Sequence, residues 1–174
     1  MGHINVVRRW LVMGIVFALA LGCRDKDDGR SHNGLAEGTA LDFTIELVHG
    51  GVFNAGSYIG SVVLVNFWDT WCGPCRQEQD DLNRLYADYH GDGFEIIGIA
   101  LAHNGVTAVA DYLTEYGVEY TSGLTGQSVV AMFGAIASIP KTFVITRSGE
   151  LDSVHVGRLE YDNFVAMISP LLGN

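Results

Sequence analysis

Basic residues are scarce in this 174-residue chain: ten lysines and arginines stand against twenty aspartates and glutamates, for a formal net charge of −10 with histidine neutral. So acidic a protein lacks the electrostatic footprint of a nucleic-acid binder, and it has no broad attraction to anionic lipid. Cysteine is scarcer still, with three residues, Cys23, Cys72 and Cys75. There is no second Cys-x-x-Cys, and the six histidines show no ligand-like spacing, so a zinc site would lack its second half. No repeat recurs at solenoid-like periods, which excludes a repeat array. The apolar run from Trp10 to Leu21 is too short to cross a bilayer as an ordinary helix. What remains, 48% hydrophobic and 17% charged, suits one globular domain with a full core.

The Trp10–Leu21 run has the dimensions of a signal peptide. Arg8 and Arg9 form its basic n-region, and Leu19-Ala20-Leu21-Gly22-Cys23 resembles a bacterial lipobox, with Ala20 where a leucine is usual. Residues 1–22 are therefore expected to be a lipoprotein-type signal peptide and Cys23 the lipidated first residue of the mature chain. An uncleaved N-terminal anchor is the other reading. Residues 23–38, rich in Asp and Gly without apolar periodicity, read as a flexible linker, and 39–174 as the folded domain. Either way the domain is exported and tethered at the extracytoplasmic face of a bacterial membrane, where acyl chains contribute about 0.8 kcal/mol per buried methylene. Removing residues 1–22 takes away Arg8 and Arg9 and no acid, leaving a net charge of −12. With Cys23 lipidated and the other two cysteines paired, none remains for a structural bridge.

Within the domain, Asp42 to Leu47 alternates polar with apolar residues, and Gly50-Gly51 separates it from Val52-Phe53, the pattern of a hairpin. Ser61 to Phe67 is a continuous apolar run, as a strand covered on both faces requires. From Gly73 to His90, Leu82, Leu85, Tyr86 and Tyr89 recur at three and four, which predicts a helix stopped by Gly91-Asp92-Gly93. Phe94 to Leu101 is the next strand, parallel to the first across that helix. Helices are predicted over Val106–Tyr116, Ser128–Phe133 and Tyr161–Leu172, with an antiparallel hairpin of Thr142–Thr146 and Leu151–Val156 before the last.

Trp71-Cys72-Gly73-Pro74-Cys75 lies where the buried strand passes into the first helix. A helix N-terminus carries unpaired N–H groups and about half a positive charge, which favours a thiolate over a thiol. In a Cys-x-x-Cys motif this lowers the pKa from about 8.5 into the range of roughly 3.5–7.5. The spacing lets the second sulfur reach the first, so the pair reads as a redox site. A structural disulfide closing so short a loop stabilises little.

These residues, with Val63-Leu64-Val65-Asn66-Phe67-Trp68 before them and Ser138-Ile139-Pro140-Lys141-Thr142-Phe143 far downstream, carry a family likeness. From about Leu41 to Leu172 the chain resembles the thioredoxin-fold, TlpA-like/ResA-like membrane-tethered thiol–disulfide oxidoreductases. The resemblance implies an α/β thioredoxin-like sandwich: a mixed central sheet, helices on both faces and an N-terminal β-hairpin. It implies that Cys72 is the nucleophile and the more exposed sulfur, that Cys75 resolves, and that the two form a redox-active disulfide. It places Trp71, Gly73 and Pro74 around them, Pro74 in the first helical turn where its missing N–H costs nothing. It also implies a cis Ile139–Pro140 bond, with Ile139 pairing to the substrate strand. Asn66 stands where cytosolic thioredoxin has a buried Asp, and ResA-like proteins share the Asn together with a Glu matching Glu78. That Glu either tunes the thiols or relays a proton, or else is a solvated carboxylate answering the helix dipole, and burial decides. Asp80 departs from the family's helix-bending proline.

No cofactor and no metal is expected. The implied partners are protein disulfides, such as the haem-site cysteines of apocytochrome c or those of a copper-site assembly protein, and a membrane electron donor of the DsbD/CcdA type. The competing functions are a copper chaperone using both thiolates, for which Met132 and Met167 lie far off in sequence, and a thiol peroxidase. Trp68 and Trp71 are assigned to the wall and core of the site, and Tyr86, Tyr89, Tyr112 and Tyr116 to packing.

Overall fold

The computed structural model describes residues 39–173. The expectations for residues 1–22, for Cys23 and for the linker 23–38 lie outside them. Seven strands form one mixed sheet: β1 (Thr44–Leu47), β2 (Val52–Asn54), β3 (Val62–Trp68), β4 (Phe94–Ala100), β5 (Thr121–Leu124), β6 (Lys141–Ile145) and β7 (Leu151–Val156), in the order β2-β1-β5-β4-β3-β6-β7. Four α-helices accompany them: α1 (Gly73–Tyr89), α2 (Val106–Glu115), α3 (Gln127–Phe133) and α4 (Tyr161–Leu172). This is the thioredoxin-like α/β architecture with an N-terminal hairpin, as the sequence implied. Among the described residues no helix is long and apolar enough to cross a membrane.

The central strands explain the two-sided core. β3 pairs in parallel with β4 and antiparallel with β6, and all seven of its residues are buried. Its alternate side chains serve opposite faces. Val62 and Leu64 pack with Leu82 and Leu85 of α1 and with Phe164 and Ile168 of α4. Val63, Val65 and Phe67 pack with Val129, Met132 and Phe133 of α3. Each such side chain contributes about 1.5–3 kcal/mol relative to exposure. Near the strand's C-terminal end, Trp68 packs against α2 through Tyr112, ring centroids 4.5 Å apart.

β5 was not anticipated from the sequence. It pairs in parallel with β4 and antiparallel with β1, so the N-terminal hairpin extends the sheet. A Cβ at Gly123 would lie 2.7 Å from the Glu46 carbonyl oxygen, so this join requires glycine. The helix α1 runs unbroken through Asp80 despite the missing proline, and Gly93 in the left-handed conformation ends the turn that follows it.

Candidate active site

β3 delivers the chain to Asp69-Thr70-Trp71, and Cys72 then takes an extended conformation as the N-cap of α1. The Cys75 backbone N–H donates to Cys72 Sγ at 3.2 Å, one of the orphan donors that a thiolate would exploit. Gly73 and Pro74 form the exposed first turn. Cys72 and Cys75 are joined in a disulfide. Both are 2% exposed, which corrects the expectation of a more exposed Cys72. Both sulfur-bearing residues pack among Trp68, Tyr112, Ala102 and Ile139. The difference between them is therefore one of position on the helix, with Cys72 at the cap and Cys75 inside the turn. In the reduced protein at about pH 7, Cys72 is expected to be alkylated by iodoacetamide at least about tenfold faster than Cys75. Peptide mapping after timed alkylation checks this, and equal rates would remove the nucleophile assignment.

Ile139–Pro140 is a cis peptide bond. Ile139 is half-buried beside the disulfide, Pro140 is buried, and together with Trp71 this segment edges an open groove of about 400 Å³. Trp71 is 54% exposed there. Trp68 is the buried tryptophan, and the helical tyrosines pack as their spacing suggested, Tyr112 stacking on Tyr116 at 4.3 Å.

Glu78, one turn beyond Cys75 on α1, is fully buried. Asn66 Nδ2 donates to its Oε1 at 2.9 Å and also to Thr142 Oγ1 at 3.2 Å, while the Leu159 backbone N–H donates to its Oε2 at 3.1 Å. Burial pushes the carboxyl up to about 7, with the Asp81 charge adding to it. The Leu159 N–H, the Asn66 amide and the Arg158 charge pull the other way. Asn66 thus serves as a donor to Glu78, held in register opposite Thr142 by the β3–β6 pairing.

Sequence reasoning passed over three buried polar groups. Gln79 donates to Tyr120 Oη and Asn83 Oδ1, both at 2.9 Å. Thr142 completes the Asn66 contact. Asp69, fully buried just before the motif, accepts from His103 in the loop after β4. An acid inside the apolar run Phe67-Trp68-Asp69 was the one visible signal of the last.

The sequence profile of the AhpC/TSA family matches residues 37–154. A thiol–disulfide oxidoreductase ResA from Halalkalibacterium halodurans is 29% identical over 171 residues, covering 94% of this chain and 96% of that one. The crystal structure of a thioredoxin-family thiol:disulfide interchange protein from Chlorobium tepidum superposes with a TM-score of 0.71 at 30% identity, covering 78% of this chain and 96% of the other. A secreted disulfide oxidoreductase of Mycobacterium tuberculosis, at 20% identity and TM-score 0.67 over 76% of this chain and 98% of its own, shares the fold.

Proposed function

The chain belongs to the AhpC/TSA family and is a thiol–disulfide oxidoreductase of the ResA and DsbE kind, and from that premise we propose that it is an exported, membrane-tethered reductant of specific protein disulfides. The observation that carries this reading is the Cys72–Cys75 pair at the α1 N-terminus with a buried carboxyl of pKa near 7 one turn beyond it. The reduced enzyme's Cys72 thiolate attacks a partner disulfide. One partner sulfur joins Cys72 and the other leaves with the electron pair. Glu78 accepts the Cys75 proton, and the Cys75 thiolate displaces the partner from Cys72. The partner departs as a dithiol and the enzyme is left as the disulfide. A membrane electron donor of the DsbD/CcdA type would return the two electrons.

The groove between Trp71 and Ile139 is where an extended substrate segment would lie. Apocytochrome c haem-site cysteines and those of a copper-site assembly protein are the substrates we favour, on the family resemblance. Tethering through lipidated Cys23 would hold the domain at the extracytoplasmic membrane face. A copper chaperone would need further soft donors, and Met132 and Met167 pack in core clusters other than the one that contains the cysteines. Dithiol-dependent reduction of insulin tests the proposal, with peroxide consumption and anaerobic Cu(I) titration run beside it. Insulin reduction no faster than that of Cys72→Ser would sink it. Tight stoichiometric Cu(I) binding without disulfide exchange, or peroxide turnover alone, would put a competitor in its place.

A further inference from the structure

Asp69 and His103 are 34 positions apart, and the parallel register of β3 with β4 brings them together just beyond the paired Trp68 and Ala100. The Asp69 carboxylate is fully buried yet carries four donors, the Thr70 hydroxyl at 3.4 Å from Oδ1 among them. The Thr70 N–H lies 2.7 Å from Oδ1, and the His103 N–H and Nδ1 lie 3.0 and 2.6 Å from Oδ2. Burial pushes this carboxyl up, but the His103 backbone N–H and imidazole, with Thr70 and Trp71, outweigh it and hold it below the ordinary value. An unpartnered buried carboxylate costs several kcal/mol, and among the described residues His103 is the basic side chain within ion-pair distance of it.

Ala102, immediately before His103, sits at φ 57°, a conformation that costs a residue with a Cβ about 1–2 kcal/mol. The side chain so placed is not a core group: it is 61% exposed, it meets the edge of Trp71 with ring centroids 6.1 Å apart, and it lines the groove with Leu101, Ser138 and Ile139. With Nδ1 committed to Asp69, Nε2 on the opposite edge of the ring is left for whatever enters the groove.

We propose that His103, oriented by buried Asp69, is the proton donor to the partner sulfur that leaves when Cys72 attacks a disulfide lying in the Trp71–Ile139 groove. The inference rests on the disulfide-reductase reading above. In this step the partner S–S bond breaks, a Cys72–sulfur bond forms, and the electron pair goes to the leaving sulfur. That sulfur takes the proton from Nε2. The imidazole becomes neutral, keeps its Nδ1–H on Asp69, and is reprotonated from solvent. Asp69, from the β3–α1 connection, is the charged group that meets it, and the neutral Trp71 and Ser138 share the groove with it. The first turn of α2 carries no acid.

Leaving-group dependence tests the role, because a merely structural histidine would affect all disulfides alike. The reduced chain is assayed at about pH 6, below the ordinary histidine value, against two probes. One is a cyclic peptide disulfide, whose leaving thiol has a pKa of about 8.5 and gains from protonation. The other is dithiobis(nitrobenzoate), whose acidic aryl thiolate leaves without a proton. His103→Gln, at an exposed position, is expected to lower the peptide rate about a hundredfold more than the aryl rate. Asp69→Asn is expected to move the same ratio about tenfold. An unchanged ratio in His103→Gln, whatever the absolute rates, overturns the proposal. A wild-type chain that reduces neither probe overturns the reductase reading with it.

Discussion

A Cys75→Ala chain is expected to lose multiple-turnover disulfide reduction by roughly three orders of magnitude while still reacting once with its substrate. The attack by Cys72 needs only the N-cap sulfur and the donors around it, including the Cys75 backbone N–H, which alanine keeps. Release of the partner needs the second sulfur, which alanine lacks. The mixed disulfide should therefore accumulate with any protein whose cysteines fit the groove. Non-reducing electrophoresis of membranes from cells expressing Cys75→Ala, followed by mass spectrometry of the trapped adducts, checks it. The Cys72→Ser, Cys75→Ala double variant should trap nothing. Adducts of equal yield from that variant, or retained turnover in Cys75→Ala, would refute the division of roles. The identity of the trapped protein would also decide between a haem-site and a copper-site substrate.

The parts of this fold that were legible from residues alone are those where burial is recorded as pattern. β3 announces itself because both its faces are covered, so all its residues are apolar except Asn66. The helix α1 is legible because its inward positions, Leu82 and Leu85, recur at helical spacing. β5 left no such trace. Its four residues, Thr-Ser-Gly-Leu, are held by backbone pairing on both sides, and its glycine is required by proximity to β1. The site divides in the same way. Cys72, Cys75 and Pro140 could be named because motif and family resemblance point at them. The cysteine exposures could not, because they depend on Trp68, Tyr112, Ala102 and Ile139 arriving from four separate segments. Asp69 and His103 were missed for that reason too: their meeting is a product of strand register.

Glu78 is the residue whose role burial had to decide, and its substitution is expected to change both stability and rate. Its folded pKa of about 7 lies above the ordinary carboxyl value of 4.5 because burial penalises the charged form. The folded state therefore holds this proton more tightly than the unfolded chain does. The stabilisation is fully present below about pH 4.5 and is lost as pH rises through about 7. At about 1.4 kcal/mol per pK unit, the group should cost the wild type about 2–3 kcal/mol of stability between about pH 5 and about pH 8. Glu78→Gln cannot ionise, so the difference in unfolding free energy between wild type and variant should drift by that amount over the same window. Urea unfolding of both proteins at the two ends measures it. The rate moves in the opposite sense. As the carboxylate forms, it becomes able to accept the Cys75 proton, so wild-type turnover should rise through about pH 7. Glu78→Gln should lose that rise and run about a hundredfold slower at about pH 8. A single substitution that removes the pH drift in stability while slowing the alkaline enzyme separates a proton acceptor from a structural carboxyl. Parallel stability slopes with an unshifted rate profile would leave Glu78 no part in the exchange.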